Sequence, residues 1–182
     1  MIVRVVPHDP DWHCHFALER DRIKLALGDV VVALHHIGST AVPRVPAKPI
    51  IDILLEVSDL AELDRRSSHM GTLGYEAKGE FGIPGRRYFR CDNEQGCRTH
   101  QVHAFRFGTE DVVRHLAFRD YLIAHPRISR AYGELKQRLA ARFPNDTGAY
   151  SGGKDDFVKQ HETKALAWRA SRLTAVAADR DG

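Results

Sequence analysis

Two apolar, β-branched stretches that lie close together in the sequence, Val30–Ile37 and Ile50–Val57, constrain the fold most. Stretches of this kind predict two buried β-strands. The connection between them, residues 38–49, holds three prolines, so it cannot form a regular helix or strand. A chain of 182 residues with 43% hydrophobic and 28% charged residues is typical of a globular protein, which excludes a disordered, collagen-like or disulfide-framework chain.

The remaining elements follow from changes in the hydrophobic period along the chain. A hairpin is expected where two extended runs flank the turn at 92–96, and the period becomes helical from Thr109 onward. Together these patterns predict one α+β domain over residues 1–174 with a helical C-terminal layer, and a frayed tail over 175–182. The predicted strands are Ile2–Val6, Arg86–Cys91 and Arg98–Phe107, the predicted helices are Asp9–Leu27, Leu60–Met70, Thr109–Pro126, Ile128–Phe143 and Lys154–Leu173, and Asp146–Gly153 is predicted to be a polar loop.

One carboxylate lies inside the otherwise apolar second strand, at Asp52. An ionised carboxylate in such a strand is costly unless it is paired or binds a metal. The first strand ends in Gly38-Ser39, where glycine lets the backbone approach a ligand and serine offers a hydroxyl and an N–H to phosphate oxygens. These residues predict a site between the bend and Asp52. The alternative is a structural carboxylate that caps the loop backbone.

The order of an apolar strand, Gly38-Ser39, a connection and Asp52 resembles the signature of the nucleotidyltransferase superfamily. The segments His36–Pro43 and Ala47–Ile53 resemble the GrpB family more closely. The resemblance extends from Val5 to about Ala170. Further segments typical of the family are Gly82–Arg90, Arg98–His103, His115–Leu122 and Gly153–Asp155.

The resemblance implies a nucleotidyltransferase-like fold with a mixed or antiparallel sheet. It also implies a magnesium-dependent transferase that acts on a nucleotide or another phosphorylated small molecule. In that superfamily the Gly-Ser pair holds the triphosphate and the acids hold Mg²⁺, so Asp52 would be the catalytic residue and the metal ligand. The residues expected to contact the phosphorylated ligand are Gly38, Ser39, Thr40, Lys48, Arg87, Arg90, His103 and Lys154.

Several positions depart from the superfamily pattern. Leu54 stands where a second acid is expected, and Arg44 stands where the GrpB family usually has glycine. Glu56 shares a strand face with Asp52, but four residues at about 3.3 Å each place it roughly 13 Å away. The later strand, 98–107, carries no acid. The alternative function is therefore a non-catalytic binding module for a phosphorylated ligand on a degenerate nucleotidyltransferase fold.

Cysteine and histidine residues around the predicted hairpin suggest a third function. Cys91, Cys97 and His100 flank the turn and could surround Zn²⁺, although their spacing is not that of a zinc finger. A zinc-dependent hydrolase would use His103 with these Cys and His partners. The alternative is a thiol pair across the hairpin, and the alternation of a strand places His100 and His103 on opposite faces.

The charge balance restricts the class of partner. The chain has 27 basic and 24 acidic residues, and this net charge of +3 suits an anionic small molecule but is too weak to indicate nucleic acid. We find no apolar run near the about 20 residues of a membrane span and no signal sequence, so no membrane partner is expected. Three cysteines, an odd number, favour a reducing cytoplasm.

Overall fold

Five strands form one mixed β-sheet in the order β1–β2–β5–β4–β3 in the computed structural model, which describes residues 2–178. Strands β2 and β5 pair in parallel, and the other neighbours pair antiparallel. This arrangement confirms the predicted α+β class and mixed sheet. The strands are β1 (Val31–Ile37), β2 (Ile51–Val57), β3 (Tyr75–Ala77), β4 (Arg87–Asp92) and β5 (Arg98–Arg106).

Helices cover both faces of the sheet. Helices α1 to α3 enclose the larger core, where Trp12 and Met70 pack against β2 and β5. On the opposite face α4 packs on the sheet through Val112, and α7 packs on α4 through Ala165, which forms the predicted C-terminal layer. The helices are α1 (Trp12–Leu27), α2 (Leu60–Arg65), α3 (Ser67–Thr72), α4 (Glu110–Ala124), α5 (Pro126–Arg142), α6 (Thr147–Gly152) and α7 (Asp155–Ala178).

Strand β2 is an internal strand of the sheet and is nearly fully buried, which explains its almost continuous apolar sequence. Ile51 and Ile53 belong to the larger core, while the alternate residues face the helical layer. Asp52 pairs in register with Gln101 of β5, and Leu54 pairs with His103. Asp52 therefore lies at the start of the strand, on the face that the C-terminal helices cover.

Four predicted elements differ from the structure, three of them before the C-terminal helix. The strand predicted at Ile2–Val6 is wrong, because this segment forms one isolated bridge, from Val6 to Ala47, and lies outside the sheet. The helix predicted at Leu60–Met70 is interrupted at Arg66. The guanidinium group of Arg66 forms an ion pair with the Asp29 carboxylate at 2.6 Å. The loop predicted at Asp146–Gly153 contains α6, because the Asp146 carboxylate caps the helix by accepting from the Ala149 N–H at 2.9 Å.

The C-terminal helix is longer than predicted. Helix α7 continues to Ala178, so the first part of the tail expected to fray is helical. The rest of that predicted tail, residues 179–182, lies outside the described residues. Within residues 2–178, none of the helices combines the length and the apolar character that a membrane crossing requires.

Candidate functional site

The bend after β1 lies directly against Asp52. Gly38 has a φ of 69°, a left-handed value that favours glycine. A Cβ atom at this position would lie 2.3 Å from Asp52 Oδ2, so no larger residue fits without moving the carboxylate. Glycine is therefore required both by the backbone and by the close approach of Asp52.

The turn that follows is held by a buried threonine. Residues Ser39–Ala41 form one turn of 3-10 helix, and Thr40 is 1% exposed. Its hydroxyl lies 2.9 Å from His36 Nε2 and donates to the Ile50 carbonyl at 3.4 Å. The Thr40 hydroxyl therefore has structural partners, although Thr40, like Gly38 and Ser39, lines the open space beside Asp52.

A cavity of about 310 Å³, here called the lysine chamber, lies between this turn, β2 and the helices α5 and α6. Among the residues that the structure describes, Asp52 is the only carboxylate in the lining of this chamber, and three lysines line it as well. The chamber is lined by Gly38, Ser39, Thr40, Ala47, Lys48, Ile50, Asp52, Gln101, Tyr132, Lys136, Tyr150, Ser151 and Lys154.

The three lysines are held over aromatic rings. Lys136 is 2% exposed, and its Nζ has no hydrogen-bond partner within the described part of the chain. That nitrogen lies 4.6 Å from the centre of the Tyr132 ring. The Nζ atoms of Lys48 and Lys154 lie 5.2 and 4.7 Å from the centre of the Tyr150 ring. The chamber thus gathers three ammonium groups around one carboxylate.

Burial disfavours the charged form of all three lysines, and for Lys136 and Lys154 the charge of a neighbouring lysine adds to this effect. Burial, together with the charges of Lys154 and Lys48, lowers the pKa of Lys136 to about 7, although Asp52 acts in the opposite direction. Burial and the charge of Lys48 lower the pKa of Lys154 to about 8. Burial also lowers the pKa of Lys48. The chamber is therefore short of negative charge.

A second cavity of about 260 Å³, here called the histidine chamber, adjoins the first on the side of α4 and α7. His103 lies at the junction, with its Nε2 atom 3.8 Å from Asp52 Oδ1. Five residues line both chambers: Gly38, Ser39, Asp52, Gln101 and Tyr132. The histidine chamber is lined in addition by Ile37, His103, Arg114, His115, Phe118, Arg119, Leu122 and Glu162.

Two residues predicted to contact the ligand lie outside the site. The Arg87 guanidinium donates two hydrogen bonds to Asp64, at 2.6 and 2.7 Å, from the face of β4 opposite to Asp52. Arg90 donates to Glu76 at 2.6 Å. Neither arginine lines the lysine chamber or the histidine chamber, because their guanidinium groups are already paired elsewhere.

The oxygen donors do not fit a Mg²⁺ ion held by the protein alone. Leu54 is fully buried, and Glu56 accepts from His35 Nε2 at 2.8 Å and from the Gly108 N–H at 3.3 Å. Asp52 is left as a single carboxylate facing ammonium groups, whereas Mg²⁺ requires about six oxygen ligands in octahedral geometry. Among residues 2–178 no three His, Cys, Asp or Glu side chains are placed to hold a metal ion.

The lack of such a group of side chains among residues 2–178 also argues against the zinc hypothesis. The cysteines of the hairpin are free thiols, Cys97 is exposed, and Cys91 pairs in register with His100. His103 lies on the opposite face of β5, beside Asp52. Cys91 and His100 are thus neighbours, but across the described residues the structure does not gather three of the predicted zinc ligands around one point.

Sequence reasoning missed Lys136, Tyr132 and Tyr150. A signal for Lys136 was present, because it lies four residues after Tyr132 and three before Leu139, on the buried face of an amphipathic helix. A lysine on such a face is as costly as an aspartate inside an apolar strand. The argument that identified Asp52 would have identified Lys136 as well.

Several proteins are similar in sequence to most of this chain. Residues 2–164 match the family model described as GrpB protein. The UPF0157 protein YqkA of Bacillus subtilis is 42% identical over 173 residues, which are 95% of this chain and 50% of that protein. The glutamate-rich protein GrpB of Alkalihalophilus pseudofirmus is 33% identical over 161 residues, which are 87% of this chain and 92% of that protein. A dephospho-CoA kinase of Mycolicibacterium paratuberculosis is 28% identical over 193 residues, with 93% of this chain and 47% of that protein covered. This chain thus spans about half of two of these relatives.

Solved structures show the same fold. The crystal structure of conserved protein GrpB from Enterococcus faecalis aligns with a TM-score of 0.87 at 40% identity, covering 91% of this chain and 99% of that one. The Cid1 poly(U) polymerase aligns with a TM-score of 0.54 at 12% identity, covering 82% of this chain and 49% of that one, which shows the fold alone. The chain therefore belongs to the GrpB protein family and has a nucleotidyltransferase-like fold.

Proposed function

We propose that the lysine chamber binds the phosphate groups of a phosphorylated small molecule. The observation that carries this proposal is Lys136, which is 2% exposed and whose ammonium group has no hydrogen-bond partner among the described residues. A buried ammonium group without a partner lowers the stability of the folded protein by about 3–5 kcal/mol. A bound anion would remove that cost, because it supplies both the opposite charge and the hydrogen-bond acceptors.

The composition of the lining favours phosphate over a singly charged anion. Lys48, Lys136 and Lys154 approach one space in which Asp52 is the only opposing charge. Lysine binds phosphate as a point charge, and three such charges suit a group with two or more negative charges. Ser39, at the bend, adds a hydroxyl to the same wall.

Magnesium-dependent nucleotidyl transfer is the second candidate, and Asp52, which lines both chambers, favours it. Because the protein offers one carboxylate there, Mg²⁺ would have to enter with the phosphate oxygens of the ligand. When bound in this way, the ion would supply positive charge to a phosphoryl group. Asp52 would then be the residue that holds the ion.

Calorimetry separates the two candidates. Pyrophosphate, ATP and dephospho-CoA are titrated with and without Mg²⁺ into the wild type and into Lys136→Met, Asp52→Asn and Lys159→Met. Phosphate binding by the lysines requires no Mg²⁺, weakens at least about tenfold in Lys136→Met, and strengthens in Asp52→Asn because a like charge is removed. Lys159, exposed on α7, is the matched control and leaves affinity unchanged.

The two candidates predict opposite changes in affinity for Asp52→Asn, so this variant distinguishes them. Binding that depends on Mg²⁺ and disappears in Asp52→Asn contradicts metal-free phosphate binding and supports the transferase. Release of pyrophosphate from a nucleoside triphosphate, across a panel of acceptors, would then establish the transfer reaction. If the wild type binds none of the three compounds under either condition, both candidates are wrong.

A further inference from the structure

We propose that the histidine chamber binds a neutral, hydroxyl-bearing group, so that the ligand is a phosphorylated sugar or polyol that spans both chambers. The inference rests on the proposed binding of phosphate in the lysine chamber. It follows from the hydrogen-bond partners of His103 and His115 and from the pairing of the two arginines that line this chamber.

The two arginines that line the histidine chamber are both paired with carboxylates. Arg114 donates to Glu162 Oε1 at 2.6 Å and to Asp111 Oδ1 at 2.9 Å. Arg119 donates to Asp120 Oδ1 at 2.8 Å. The lysine chamber, by contrast, has three ammonium groups and one carboxylate. The histidine chamber is therefore suited to a neutral group, because a second anion would find no unpaired cation in its described lining.

His103 presents a hydrogen-bond donor to the cavity. Arg86 Nη1 lies 3.4 Å from His103 Nδ1, and Arg86 is held in place by the Phe81 carbonyl at 2.7 Å. A guanidinium group only donates, so Nδ1 must accept and the ring proton lies on Nε2. The 3.8 Å from Nε2 to Asp52 Oδ1 exceeds hydrogen-bond range. The Nε2–H group is thus available to an oxygen of the ligand.

His115 presents an acceptor. Its Nδ1 atom lies 2.7 Å from the Asp111 main-chain carbonyl, which can only accept, so Nδ1 carries the proton and Nε2 carries a lone pair. Burial lowers the pKa of His115 to about 4, which keeps the ring neutral near pH 7. The rings of His103 and His115 lie 5.8 Å apart between their centres.

A hydroxyl group satisfies this pair through a single atom, because its oxygen accepts from one ring and donates to the other. A fully ionised phosphate or a carboxylate has no proton to donate to His115, and an ammonium group has no lone pair to accept from His103. The rest of the wall includes Ile37, Phe118 and Leu122, which suit the carbon skeleton of such a group. Since the two chambers share five residues of their lining, one molecule can reach both.

The test compares two phosphate esters of similar size, ribose 5-phosphate and pentyl phosphate, with inorganic phosphate as the reference. Calorimetry is performed on the wild type, His115→Phe, His103→Phe and His100→Phe. We expect the wild type to bind ribose 5-phosphate at least about tenfold more tightly than pentyl phosphate, which corresponds to one or two good hydrogen bonds. The preference should fall to near one in His115→Phe and in His103→Phe, with the affinity for inorganic phosphate unchanged.

His100→Phe is the matched control. His100 lies on the same strand but on the opposite face of the sheet, and it lines neither chamber, so this variant keeps the preference. Using two histidine variants covers the case in which one of them fails to fold, which far-ultraviolet circular dichroism detects.

Each outcome bears on a different claim. Equal affinity for the two esters, or a preference that survives both histidine substitutions, overturns the inference and leaves phosphate binding in place. If the wild type does not bind inorganic phosphate but binds ribose 5-phosphate through the histidines, the lysine chamber is not the phosphate site. If it binds neither compound, both proposals fall together.

Discussion

At the scale of single residues, Lys136 is the clearest case of a site residue that destabilises the native state. Its ordinary pKa of 10.5 falls to about 7 because the ammonium is buried among like charges. The unfolded chain therefore binds more protons than the native one between those two values, and the stability of the native state rises with pH across this window. Below pH 7 the full penalty of the buried charge is present.

We predict that Lys136→Met is more stable than the wild type and that this advantage depends on pH. At pH 6 the variant should gain about 3–5 kcal/mol in the free energy of unfolding, because the full penalty of the buried charge is then removed. Between pH 6 and pH 9 the gain should shrink by about 2–3 kcal/mol, because the wild-type lysine is then buried in its neutral form. Urea unfolding at both pH values measures this difference.

The exposed Lys159→Met again serves as the control and should show no such dependence. A destabilised Lys136→Met at pH 6 would mean that the ammonium has a stabilising partner. In that case the argument for an anion site at Lys136 would fail.

The sequence identified only part of this site. Asp52 and the Gly38-Ser39 bend could be recognised because a charge inside an apolar strand and a glycine at its end are local patterns. Lys48 and Lys154 followed from their neighbours in the chain. Lys136 was overlooked because α5 carries several other basic residues, although its spacing from Tyr132 and Leu139 places it on the buried face of the helix.

At the scale of elements, the seating of α5 sets the position of Lys136. Gly133 lies three residues earlier on the same helix face, and a Cβ atom there would lie 2.8 Å from Pro46 Cδ. Glycine thus lets the helix approach the connection between β1 and β2 closely. The depth of the lysine chamber depends on this contact.

We predict that Gly133→Val weakens phosphate binding although it removes no charge. The added side chain should push α5 away from Pro46, lower the free energy of unfolding by about 1–3 kcal/mol and reduce pyrophosphate affinity several-fold. Calorimetry and urea unfolding measure the two effects. Ala131→Val, on the exposed side of the same helix, is the control. Unchanged affinity in a destabilised Gly133→Val would show that the helix position does not control the chamber.

The elements themselves were largely predictable where the local pattern decides the structure. The strands of the central sheet and helices α1, α4 and α5 follow from apolar periodicity and from their turn residues. The strand at Ile2–Val6 was not separable from a sheet strand by composition, because its actual partner is one residue in the β1–β2 connection, Ala47. Helix α6 was hidden in a segment whose polar and glycine residues are typical of loops.

At the scale of the whole molecule, the cleft lies between the sheet and the C-terminal helical layer. Asp52 and Gln101 belong to β2 and β5, whereas Tyr132 and Lys136 belong to α5. A ligand in the lysine chamber would touch both layers at once. It would bind the folded protein and not the separated layers.

We predict a thermal shift that follows from this location. Pyrophosphate at 100 times its dissociation constant should stabilise the wild type by about 2.7 kcal/mol. For a protein of this size that corresponds to a rise in melting temperature of about 5–11 °C. Differential scanning calorimetry should show this rise in the wild type and, at the same pyrophosphate concentration, at most about half of it in Lys136→Met, because a tenfold weaker affinity leaves about 1.4 kcal/mol of stabilisation. A similar rise in both proteins would place pyrophosphate at another surface.

The parallel pairing of β2 with β5 has a consequence for how the chain folds. Asp52 and Gln101 are neighbours in the sheet but are 49 positions apart in sequence. Contacts between such distant segments form late. The chain between them must first lose conformational entropy by closing a long loop, and only then do the contacts stabilise the structure. The β1–β2 and β4–β5 pairs can form locally, so we expect the nascent polypeptide to assemble two halves first and to gain its pocket only when those halves join.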